Sequence, residues 1–173
     1  MIIVDTTCKT PYNQRDSDYS RTGFGRVWDT GVLQTAGFST PNNVEGTEED
    51  WKEATDYHLL KDGKDVRVGF RVQRGKCWGT FTIRCGNRDE SQSRSLTEWD
   101  KICRKVDVGN PGPDYWIHAY VSDITAFALT ETKTIVAAIR EKHCGMNHSN
   151  ADFFWVSWSD IEKFYPKSLL LRF

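Results

Sequence analysis

No two cysteines in this chain stand in a C-x-x-C pair, and the five present (Cys8, Cys77, Cys85, Cys103, Cys144) are odd in number and widely scattered. That spacing argues against a disulfide framework and against a zinc knuckle. His143, Cys144 and His148, even with Cys103, fall into neither a knuckle nor an HExxH helix. A GxxxxGK[ST] phosphate loop and a GxSxG nucleophile turn are also missing, which removes the commonest nucleotide-binding and serine-hydrolase signatures. No run approaches the length of a bilayer span and no apolar leader opens the chain, so the expectation is a soluble, reduced, cytoplasmic protein with no membrane partner. Neither sign of charge dominates, with 23 Lys and Arg against 24 Asp and Glu and a net charge of -1. A molecule-wide polyanion-binding surface is thereby excluded, and nucleic-acid contact has to come from a local patch.

What is abundant is aromatic residues, seven Trp, nine Phe and six Tyr, in a chain of 173 residues that suits one core rather than two. The organising stretch is 54–85. Asp62-Gly63 between apolar segments is a hairpin signal, because both residues tolerate positive φ. Val66, Val68, Phe70 and Val72 alternate with Arg67, Gly69, Arg71 and Gln73, so a strand there puts the apolar side chains on one face and both arginines on the other. Phe81 and Ile83 alternate with Thr80, Thr82 and Arg84 in the same way. Three successive strands are expected, with Arg67, Arg71 and Arg84 facing water or an anion.

Before this stretch, residues 1–4 could form a short strand. Glycines at 23, 25, 31 and 37 suggest that 1–46 is an irregular arm covering the core, leaving 47–173 as a single α/β domain. Thr47 followed by Glu48, Glu49 and Asp50 opens a short helix. After a polar loop at 86–95, Thr97 with Asp100 resembles a capping box, beginning a helix that Gly109 to Pro113 ends. Strands are expected at 114–121, 127–129 and 153–158, and a helix with the stripe Ile135, Val136, Ala138 and Ile139. The class is therefore α/β (α+β), a mixed sheet flanked by helices.

From Thr47 to Val121 the expected order is helix, three strands, helix, strand, and this resembles the restriction-endonuclease-like αβββαβ core of the PD-(D/E)XK nucleases. The resemblance implies a carboxylate near the start of the second core strand, matched by Asp56, and a D/E-x-K pair on the third, matched by Gly69-Phe70-Arg71. It also implies an acid from the first helix, Glu48 or Glu49, and a magnesium or manganese ion held by Asp56 and Glu48. Gly69 stands where the second carboxylate would be, and Arg71 where the lysine would be. The implied function is DNA binding and metal-dependent phosphodiester hydrolysis through Asp56, Glu48 and Arg71, with Arg67, Arg71, Arg84 and Lys101 on the nucleic acid. An accessory protein of a phage or mobile element would suit this size.

Two alternatives stay open. Arg71 and Arg84 can pair with Glu98 or Asp100 and serve the fold alone. The protein can instead be a non-catalytic interaction or inhibitor module that offers Trp28, Trp51 or Trp78 to a protein partner. Asp114, ahead of an apolar strand, reads as a structural carboxylate accepting backbone N–H groups, and His118 as a core or sheet histidine.

Overall fold

The computed structural model describes residues 11–86, 96–122, 125–148 and 151–173. The expected strand at 1–4, the loop at 87–95, Cys8 and the Trp51 side chain lie outside the described residues. Six strands form one mixed sheet in the order β1 (Phe38–Asn43), β2 (Tyr57–Lys61), β3 (Lys64–Gln73), β5 (Tyr115–Val121), β6 (Thr125–Glu131) and β9 (Leu170–Arg172). Only β3 and β5 run parallel; every other neighbouring pair in that sheet is antiparallel. A second, antiparallel sheet has the order β4 (Thr80–Gly86), β8 (Asp152–Ser157), β7 (Gly145–His148). The mixed α and β content matches the expected class.

The β2–β3 hairpin turns at Asp62-Gly63, both at positive φ, as the dipeptide requires. The third strand of the expected meander does something else. Gly75 and Gly79, both at positive φ, turn the chain away after β3, and β4 founds the small sheet. The vacated edge of β3 is taken by β5, which arrives in parallel after helix α4 (Glu98–Val108). A parallel partner needs such a crossover, and the helix supplies it.

Nor are the described residues 11–46 of the expected arm irregular. Residues Pro11–Asp29 form helix α1, and a short helix α2 (Val32–Thr35) leads into β1. Gly23 is what permits α1 to lie on the sheet, since a Cβ there would come within 2.9 Å of Val72. Glycine marks a close approach here rather than a break. Phe24 stacks on Tyr57 and meets Phe70 edge-on, while Tyr19 Oη donates to Val121 O at 3.0 Å. The apolar face of Val66, Val68, Phe70 and Val72 is thus covered by α1 and α2, together with Val27, Leu33, Ile117 and Phe127.

On the opposite face a second core unites Phe81 and Ile83 of β4 with Ile102, Trp116, Tyr120, Ile135, Val156 and Trp158. It is closed by α4, by α5 (Thr132–Arg140) with its buried Ile135, Val136, Ala138 and Ile139, and by α6 (Trp158–Phe164). The Thr97–Asp100 capping box forms as expected. Thr47 does not cap its helix, α3 (Glu48–Glu53); its hydroxyl donates to Val44 O at 2.6 Å. No described helix is long and apolar enough to cross a membrane.

Gly69 lies directly under this second core, where a Cβ would overlap the Trp116 indole. Gly69→Ala is expected to destabilise the protein by about 1–3 kcal/mol, as overpacking does. Urea unfolding should show this as a lowered midpoint with an unchanged slope.

Candidate functional site

The candidate site forms where β2, β3, α4 and β4 meet. Asp56 lies one residue before β2. Its N–H donates to Val68 O at 2.9 Å, and its Oδ2 accepts from Phe70 N at 2.6 Å. The antiparallel register, with Tyr57 opposite Val68, therefore sets Asp56 beside Gly69. The second carboxylate that position 69 cannot carry comes from elsewhere. The capping box fixes the start of α4, so that Glu98 is its first residue and Lys101 follows at i+3 on the same side.

Glu98 binds the two sheets together. Its Oε1 pairs with Arg71 Nη2, and its Oε2 accepts from Arg84 N at 2.8 Å. The Arg71 guanidinium also lies over the Phe153 ring, 5.2 Å from its centroid. Of the two pairings left open for Arg71, Glu98 is the one formed, while Asp100 is engaged in the cap. Next to Arg71 in the parallel register is His118, fully buried and stacked on Tyr120. Its Nδ1 accepts from Thr82 N at 3.1 Å, so the ring proton sits on Nε2.

Four polar atoms of this network are buried without a partner among the described residues: Arg71 Nε, Arg84 Nε, His118 Nε2 and Thr82 Oγ1. All four can donate. A buried donor left without an acceptor is unfavourable by about 1–3 kcal/mol.

The charges are shifted by the same surroundings. Burial raises the Asp56 carboxyl well above its ordinary value; Asp50, Glu45 and Glu98 add to this, and the Phe70 N–H opposes it. Burial lowers the Lys101 ammonium, and Arg84 adds to the effect against the pull of Glu98, Asp50 and Asp56. Burial, with the Arg71 charge, holds His118 well below the ordinary imidazole value, so it is neutral.

Asp56 and Lys101 feel each other's charge, as do Lys101 and Arg84, and Glu98 links Arg71 to the Arg84 N–H. Glu48 is not among them: three-quarters exposed, it pairs with Lys52 at solvent. Glu49 binds His58 Nε2 at 2.6 Å. Arg67 faces the same side of β3 as Arg71 but pairs with Glu53, and its N–H donates to Asp114 Oδ2 at 2.9 Å. That bond is the structural role expected of Asp114. His143, Cys144 and His148 do not gather: His148 pairs with Asp152 and His143 stacks on Phe164.

Glu98, expected as an arginine partner, is one, and it also accepts from the Arg84 N–H. The signal for it was the capping box, which places residues 98 and 101 on a common side. His118 and Thr82 had no comparable signal, since their meeting depends on how the small sheet docks.

No group of three or more His, Cys, Asp or Glu forms a metal cluster among the described residues. Asp56 and Glu98 are the carboxylates of the network, with Glu98 engaged by Arg71 and the Arg84 N–H and Asp56 Oδ2 by the Phe70 N–H. Magnesium keeps several waters and uses one or two carboxylates together with substrate phosphate oxygens, so this donor set fits a shared ion rather than a closed cage.

Because His118 is neutral when folded but protonates below about pH 6.5 when unfolded, the unfolded state binds the extra proton. Stability should therefore fall as pH drops through and below the ordinary imidazole value, by at most about 1.4 kcal/mol per pH unit. Asp56 works in the opposite sense, since its raised carboxyl favours the proton in the folded state. The wild-type minus His118→Gln difference in unfolding free energy, measured from pH 7.5 to 5.5, isolates the histidine and should narrow steadily.

No protein-family model, curated protein or solved structure matches the chain.

Proposed function

We propose that the protein is a nucleic-acid-binding phosphodiesterase of nuclease-like build that acts on DNA with magnesium or manganese. The observation that carries this reading is Glu98: from α4 it brings a second carboxylate into the patch of Asp56, Arg71 and Lys101, where the Trp116 ring bars any side chain at position 69. With the short helices α2 and α3 and the small-sheet strand β4 set aside, α1, β1, β2, β3, α4 and β5 follow the αβββαβ order, which supports the reading. This is a different set of elements from the one expected from the sequence, which used α3 as the first helix and β4 as the third strand.

Asp56 and Glu98 would hold the ion, which when bound lowers the pKa of its water and polarises a phosphoryl oxygen. The chain's own groups do the rest. Arg71 fixes the orientation of Glu98 and, with Arg84, offers guanidinium donors to phosphate oxygens. Arginine stays charged and cannot act as a base, so both serve as clamps. Lys101, lowered by burial, is the group beside them able to hold or release a proton.

Two measurements test this. Incubation of single- and double-stranded DNA with magnesium or manganese should give strand breaks that chelator prevents, and Asp56→Asn should slow them by at least about a hundredfold. In binding without metal, Arg84→Ala should reduce the slope of log affinity against log salt by about one, the share of a single phosphate contact. Absence of both cleavage and salt-dependent affinity would overturn the reading in favour of a protein-interaction module.

A further inference from the structure

Beside the patch, the small sheet turns a face outward that the proposed chemistry does not use. Registered pairs Thr80–Ser157, Thr82–Trp155 and Arg84–Phe153 lie on that face, while Phe81, Ile83 and Val156 point into the core. The face opens into a groove of about 540 Å³ lined by Trp78, Phe153 and Trp155, with Gln73, Asn147 and Ser157 at its edges.

This groove is aromatic without being simply apolar. Trp78 is 68 % exposed, the most exposed tryptophan among the described large hydrophobic residues, and Trp155 is 38 % exposed. The Trp155 indole occupies the space that a Cβ on Gly145 would fill, so the ring is seated against bare backbone. Amide and hydroxyl groups flank the rings. Positive charge lies over both ends: Arg71 sits above Phe153, and Lys76 Nζ is 4.7 Å from the centroid of the Trp78 ring. Thr82 and Phe153 belong to both the groove and the donor patch, so the two features are continuous.

We infer that this groove binds single-stranded nucleic acid, stacking unpaired bases on Trp78 and Trp155 while the adjoining arginines take the backbone. Stacking platforms accept any base because each has a π-face, and cations tracking the backbone complete such a site. In a duplex those faces are already stacked and paired, so exposed rings of this kind select unpaired strands. The amides of Gln73 and Asn147, which line the groove, can meet base edges. The inference rests on the reading of the adjoining patch as a phosphate site, and it adds the strandedness of the substrate.

The test uses the full chain without divalent metal and a fluorescein-labelled oligothymidylate, against a duplex of equal length. The single strand should bind more tightly than the duplex and should quench tryptophan fluorescence on titration. Trp78→Ala, at a position too exposed to support the core, should weaken single-strand affinity on the order of tenfold while leaving the salt slope intact. Trp155→Ala should do the same, with thermal unfolding as the check that it folds. Equal affinity for both probes, with no effect of Trp78→Ala, would overturn the inference. The phosphate reading would survive that result if Arg84→Ala still reduced the salt slope. Failure of wild-type protein to bind either probe overturns the inference, and the phosphodiesterase reading falls with it if cleavage is absent as well.

Discussion

The ion pair of Arg71 with Glu98 is the point on which the rest of the arrangement depends. It joins β3 of the large sheet to the first residue of α4, and through the Arg84 N–H it draws in β4 of the small sheet. Both side chains are largely withdrawn from water, at 22 % and 16 % exposure. Removing either partner leaves a charge in surroundings that do not solvate it. The pair is therefore a structural joint that also fixes where Glu98 stands at the start of α4.

That double use explains the character of the site. Position 69 of β3 is closed by the Trp116 ring against Gly69, and the core gains a large buried aromatic. Glu98 stands on a helix whose first turn is fixed by the Thr97–Asp100 box. Docking of the small sheet through Thr82 to His118 and Thr80 to Tyr120 then buries several donors that have no acceptor among the described residues.

Much of the secondary structure was legible in the sequence. The period-two pattern of 66–72 placed Val68 and Phe70 on one face and Arg71 on the other, and the helical stripe of Ile135 to Ile139 was read correctly. Glycine misled the reading in one region. Gly23 suggested an irregular arm, yet it is the contact point of a 19-residue helix with Val72, because the same missing side chain that loosens a backbone also lets two elements approach closely.

The sequence by itself determined what short-range forces control: the hairpin at Asp62-Gly63, the cap of α4, the alternation along β3 and the near-neutral charge. Each depends on hydrogen bonds or periodicity within a few residues. The tertiary structure alone decided that β5 rather than β4 pairs with β3, that Glu98 rather than Glu48 stands in the patch, and that Trp155 lies along a groove beside Arg71. Those outcomes turn on which strand edges and faces meet across tens of residues, where the competing pairings differ in packing and burial that no local pattern encodes.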